Sequence, residues 1–138
     1  LSKKLSNFNF IFYFTTPKIL KNNKSKFNKD YFNTLSKYYT KTIEKLLFYV
    51  KNKTYFFIPS TIYLDQKENQ FAEYKKAKLQ LEKFCMKKEN TYKNLQFFLC
   101  RLKEFSTDQN FGILNSKKSN DLDYLFYKLK EFFKNEKK

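Results

Sequence analysis

The sequence predicts an α+β chain: a small β-α-β unit at the N-terminus followed by a mainly helical C-terminal part, with about three to four helices in all. Three features predict it. Phe8, Phe10, Phe12 and Phe14 recur at every second position, the period of a strand. Phe32, Leu35, Tyr39, Ile43, Leu46 and Val50 then recur in steps of three and four, the period of a helix with one apolar face. A run of β-branched and aromatic residues, Thr54 to Leu64, follows and reads as extended chain. A length of 138 residues suits one domain, with a basic β-α-β part over 1–64 and a helical part over 65–138.

In the first strand, residues 7–16, the four phenylalanines share one face, and Ile11 and Tyr13 occupy the other. Both faces are therefore expected to be covered near its middle, and Pro17 ends it. Residues 18–29 read as a loop of lysine, asparagine and serine. The helix over about 30–52 is capped by Asn28 or Asp30, with Lys51 and Lys53 near the negative end of its dipole. In the second strand Pro59 cannot donate to a ladder, so this segment reads as an edge strand or as two short strands around a kink. Strand, helix, strand is consistent with a right-handed βαβ crossover. A two-stranded sheet is marginal alone, which leaves room for a strand from elsewhere, such as a partner protein.

Beyond residue 64, Phe71, Tyr74, Ala77, Leu81 and Phe84 form one helical stripe, and Tyr92, Leu95, Leu99, Leu102 and Phe105 form a second. They read as two helices parted at Lys87-Lys88-Glu89-Asn90, or as one long helix over 67–105. Residues 106–119, with Gly112, read as a loop. The last helix starts at Asn120, has Asp121 and Asp123 in its positive first turn, and carries Leu122, Leu125, Leu129 and Phe132 on its apolar face.

Charge is the dominant compositional fact. The chain carries a net +16, which repels itself in a compact fold and is best tolerated beside a polyanion. Residues 1–64 hold twelve lysines against two acids, so the N-terminal half is the expected contact. The candidate phosphate-binding residues are Lys18, Lys21, Lys24, Lys26 and Lys29 of the basic loop, together with Lys75, Lys76, Lys78, Lys87 and Lys88. Lysine meets phosphate as a point charge and reads little sequence. Tyr38, Tyr39 and Tyr55 are the candidates for stacking on unpaired bases, although their periodicity suits packing as well.

Catalytic chemistry is expected to be absent. There is no histidine to act as general base, and one glycine rules out every glycine-rich phosphate or nucleophile-elbow motif. Cys85 and Cys100 have no CxxC partner or histidine, so neither a metal site nor a cofactor is expected, and both read as buried thiols. The apolar runs, such as Phe10 to Phe14 and Tyr55 to Ile58, are far shorter than the about 20 residues of a spanning helix. No transmembrane span is expected, nor an ordinary secretory signal.

Of the 29 basic residues only Arg101 is arginine. Lysine, asparagine, phenylalanine, tyrosine and isoleucine, all drawn from A/T-rich codons, fill the chain. In this whole-chain composition it resembles proteins encoded by A/T-rich organelle genomes, protist mitochondria above all. Such genomes retain mainly membrane subunits of the respiratory chain and ribosomal proteins. The resemblance, combined with high charge and no membrane span, implies a mitochondrial ribosomal protein on the matrix side. Its partners would be ribosomal RNA and neighbouring ribosomal proteins, within a large hetero-assembly. A soluble accessory subunit of a respiratory-chain complex, with lysines facing anionic lipid, is the second reading. A free nucleic-acid-binding factor is the third.

Overall fold

A computed structural model of the chain describes residues 9–20, 26–67, 70–102 and 121–135. The elements run β1 (Phe10–Phe12), α1 (Lys29–Ser36), a π-helical turn (Lys37–Lys41), α2 (Thr42–Leu47), β2 (Thr54–Thr61), a 3₁₀ turn (Ile62–Asp65), α3 (Ala72–Thr91), β3 (Leu95–Leu102) and α4 (Asp121–Asn135). The strands form one parallel sheet in the order β1-β2-β3. The architecture is mixed α and β, opening with the expected β-α-β unit.

Register assigns the two sheet faces. Phe56 lies beside Ile11 and Phe97, and Phe57 beside Phe12 and Phe98. Ile11, Tyr13, Phe56, Ile58, Leu95 and Phe97 join Leu35, Tyr39, Ile43, Ala77, Leu81 and Cys85 in one core, beneath α1, α2 and α3. Tyr55, Phe57, Cys100 and Leu102 join Phe132 in a second core, beneath α4. Helices thus cover both faces, which is the usual setting of a parallel sheet. Phe56 and Phe57 are wholly buried, one in each core, and each such side chain stabilises the fold by about 1.5–3 kcal/mol gross of ordering entropy.

The helix expected over 30–52 forms over 29–47, stopping short of Val50, and is capped by Asn28, whose Oδ1 accepts from the Tyr31 N–H. Its inner residues Leu35, Tyr39 and Ile43 are spaced by four, and in an α-helix each such step drifts about 40° around the axis. A π turn is wider. Here the Thr42 N–H reaches back five residues to the Lys37 carbonyl, and the drift is absorbed so that all three residues stay buried.

Two expectations are corrected. The stripe of Tyr92, Leu95, Leu99 and Leu102 is not helical. Helix α3 runs through Lys87-Lys88-Glu89-Asn90 to Thr91, and residues 95–102 form β3. A short apolar segment fits a buried strand and a buried helix equally well by period. The β-favouring Phe97, Phe98 and Cys100, packed on both faces, settle it as a strand. The third strand therefore comes from the chain itself.

The second correction concerns Pro59, which lies in the middle strand rather than an edge strand. Tyr55 and Phe57 turn their backbone groups toward β1, where the Tyr55 N–H reaches the Asn9 carbonyl and the Tyr13 N–H reaches the Phe57 carbonyl. Pro59 faces the same way, but pairing with β1 has already ended at Phe57. Its missing N–H is needed by nothing there, and its carbonyl accepts a hydrogen bond from Lys78 Nζ at 2.7 Å.

Helix α4 spans Asp121–Asn135, as its apolar stripe predicts, while the expected cap Asn120 lies outside the described residues. The loop expected over 106–119 lies outside the described residues, as do Lys21, Lys24 and Phe8.

Candidate functional site

The two lysine-rich stretches of the sequence come into contact. Beyond β1 the chain is tied down along the first helix. Tyr13 Oη donates to the Tyr38 carbonyl at 2.5 Å, and Thr16 Oγ1 lies 2.6 Å from Tyr39 Oη. Tyr31 Oη then donates to the Lys18 carbonyl at 3.1 Å and accepts from the Leu20 N–H at 2.8 Å. Further on, the Asn28 N–H donates to Glu73 Oε1 at 2.6 Å, which pins the loop's far end to the first turn of α3. The described parts of the basic loop are therefore held by the fold.

That anchoring brings the stretch around Lys26 and Lys29 against the first turns of α3, which carry Lys75 and Lys76. The Lys76 ammonium sits 4.9 Å from the Phe27 ring centre and 5.4 Å from that of Phe32. Those rings pack on each other at 5.6 Å. Lys75 donates to the Gln66 carbonyl. Lys18, Lys26, Lys29 and Lys76 are exposed and Lys75 is half-buried. Aromatic rings hold the lysine stem while the charge remains at the surface.

Lys78 is removed from the surface set. It is 5% exposed, donates to Pro59 as above, and stands 4.1 Å over the Tyr39 ring and 5.8 Å from that of Tyr74. Burial pushes its pKa down to about 7, against the opposing charge of Glu82. The sequence held a signal for this. Tyr74, Lys78, Leu81 and Cys85 follow steps of four, three and four, so Lys78 is in the buried stripe itself.

Lys87 and Lys88 do not join the first cluster. They lie eleven or more residues along α3 from Lys76, about 17 Å at helical rise. Lys88 Nζ is 3.6 Å from Glu44 Oε1 and stands over the rings of Phe84 and Tyr92. It forms one wall of a cleft of about 220 Å³, also lined by Glu44, Leu47, Phe48, Val50, Tyr92, Asn94 and Leu95.

The expected stacking tyrosines are mostly core. Tyr39 is buried at the π turn, and Tyr55 is buried under Phe10, with ring centres at 5.3 Å. Only Tyr38 of the three is exposed. The rings that do face outward beside a cleft are Phe48, at 81% exposure, and Tyr92, at 46%.

One constellation was missed by sequence reasoning: the single arginine is used internally. Arg101 Nε and Nη2 donate to the two carboxylate oxygens of Glu82 at 3.0 and 2.8 Å, and Nη1 to Asp65 Oδ1 at 2.5 Å. Ser60 Oγ adds a bond of 2.5 Å to Glu82 Oε1. Burial alone would raise the Glu82 pKa. The Arg101 and Ser60 hydrogen bonds, with the charges of Arg101 and Lys78, outweigh it and hold the carboxylate below its ordinary range. Lysine cannot supply a planar fork, which explains the one arginine in a lysine-saturated chain.

Cys85 and Cys100 are free and buried. Burial pushes their thiols up to about 12 and about 11. Among the described residues no three His, Cys, Asp or Glu side chains cluster to hold a metal ion, and no helix is long and apolar enough to cross a membrane. No family model, curated protein or solved structure matches the chain.

Proposed function

We propose that the chain is a structural, non-catalytic subunit of a mitochondrial ribosome, holding ribosomal RNA with its lysines and neighbouring proteins with its exposed aromatic rings. The observation that carries this reading is that the stretch 26–29 packs against the start of α3 around Lys76, while Lys18, Lys26, Lys29 and Lys76 all stay exposed. Lysines carried on an anchored backbone meet phosphates with less of the chain left to order on binding. Each neutralised phosphate releases condensed counterions, which is the term that drives such association.

The net charge of +16 gives that term its scale, and the A/T-driven composition supports the mitochondrial compartment. For protein neighbours, β1 is a short edge strand whose Phe12 is exposed beside the exposed Phe133 of α4, and Phe14 just beyond the strand is exposed as well. Aromatic rings left on a surface in this way favour packing against a partner.

The test is charge reversal of Lys18, Lys26, Lys29 and Lys76 to glutamate in the full chain, followed by recovery of the assembled particle. RNA association is expected to weaken, and the slope of log affinity against log salt to fall by roughly 0.7–0.9 for each lost phosphate contact. Ribonuclease should release the wild-type chain. Normal incorporation of the quadruple variant, or cosedimentation with detergent-solubilised membrane complexes that ribonuclease leaves untouched, would refute the ribosomal reading.

A further inference from the structure

The cleft between α2 and the end of α3 has chemistry that the lysine surface lacks. Its floor is apolar, from Leu47, Val50 and Leu95. Two aromatic side chains stand at it, and both are turned to solvent: Phe48, which caps the C-terminus of α2, and Tyr92, which caps that of α3. A phenylalanine that remains 81% exposed contributes almost nothing to the fold. Lys88 supplies a cation on the wall, and the adjoining positions Lys45, Lys51, Lys87 and Lys93 are all exposed lysines. Glu44 and Asn94 bring polar groups to the rim, and Asn94 Nδ2 donates to the Asn52 carbonyl at 3.4 Å.

We propose that this cleft seats one unpaired nucleobase of a single-stranded RNA segment, stacked on Phe48 and Tyr92, with Lys88 and the flanking lysines on the adjacent phosphates. The proposal rests on the RNA-binding reading above and adds a second kind of contact to it. Volume and charge select the occupant. About 220 Å³ falls below the roughly 300–1,000 Å³ of cofactor and drug-sized sites, so it suits a single ring system rather than a dinucleotide or a haem. Exposed aromatic faces among ammonium groups are the arrangement that binds single strands, with stacking for the base and charge for the backbone. A duplex keeps its bases paired and offers no ring to insert.

The test uses the full chain, a fluorescein-labelled unstructured ten-nucleotide RNA, and a duplex of the same length, with binding followed by anisotropy. Phe48→Ala and Tyr92→Ala should each weaken single-strand binding about 5- to 150-fold, the span of one lost base–aromatic stack. Duplex binding and the salt slope should not change. Phe48→Tyr should restore single-strand affinity, and ultraviolet crosslinking should attach the RNA at residue 48 or 92. Because Phe48 is so exposed, its truncation is expected to leave the thermal midpoint in place. If the single strand binds the wild type and both alanine variants alike, base stacking here is wrong while the lysine surface stands. If neither RNA binds the wild type at all, the RNA reading itself fails and this inference goes with it.

Discussion

Replacing Arg101 with methionine isolates the internal ion network. The substitution keeps the aliphatic stem and removes the fork that grips both oxygens of Glu82. The Glu82 side chain is 5% exposed and that of Arg101 41%. Stripping the partner from a buried carboxylate costs about 3–5 kcal/mol. Water reaches the Arg101 side, and Ser60 and Lys78 remain near Glu82, so the expected loss falls to about 2–3 kcal/mol. The bond to the exposed Asp65 adds no more than about 1 kcal/mol. For a chain of this size the loss lowers the thermal midpoint by about 6–12 °C.

Urea denaturation at pH 7, followed by circular dichroism, reads the effect as a shift in midpoint. The sign with pH follows from Glu82. Its native pKa lies below the ordinary carboxylate value, so its contribution is complete above about pH 4.3 and is lost as pH falls through the native pKa. The gap between variant and wild type should therefore narrow in acid. A double variant, Arg101→Met with Glu82→Met, should recover most of the loss, because apolar isosteres replace a buried pair at little cost. A single variant within about 0.5 kcal/mol of wild type, or a double variant worse than the single, would refute this account of the network.

Two further outcomes concern buried titratable groups. The native pKa of Lys78, near 7, lies below its unfolded value of about 10.4, so the unfolded chain binds more protons between those values and wild-type stability should rise with pH from about 6.5 to 8. Lys78→Met should lack that rise, and equal slopes for the two proteins in urea titrations would exclude the buried ammonium as its source. With their thiols raised to about 12 and about 11, Cys85 and Cys100 should react with a chromogenic disulfide reagent at least tenfold more slowly in the native chain than in urea. Rapid labelling of both under native conditions would contradict their burial.

Much of the architecture could be read from period and capping. The alternation of Phe10, Ile11, Phe12 and Tyr13 defined both faces of β1. The Leu35, Tyr39 and Ile43 row defined the inward side of the first helix, and Asn28 marked its start. What escaped depended on tertiary context. Residues 95–102 satisfy a helical and an extended period together, and their packing on both faces beside β2 decides between them. Pro59 looked like an edge marker because its position relative to the end of β1 is not visible in sequence. At the site, charge density pointed to Lys18, Lys26, Lys29 and Lys76, which are exposed, but treated Lys78 as equivalent to its neighbours although it falls in the apolar stripe. Arg101 stood out by type alone. Tyr92 was assigned to an apolar stripe, so its exposure could not be anticipated, whereas Phe48 falls between Leu46 and Val50, off the stripe of its helix.

The order β1-β2-β3 is also the order of synthesis. Each strand, as it leaves the ribosomal tunnel, finds the previous one already in place and adds to its open flank, and none has to be threaded between two partners. N-terminal segments can therefore settle while the remainder is still being made. Until residues 95–102 emerge, the flank of β2 that will receive them carries a full row of unsatisfied amides and carbonyls, the kind of surface that recruits stray strands. The passage from Thr61 to Leu95 is thus the interval in which this chain is most exposed to misassociation, and in which an early-arriving partner would help it most.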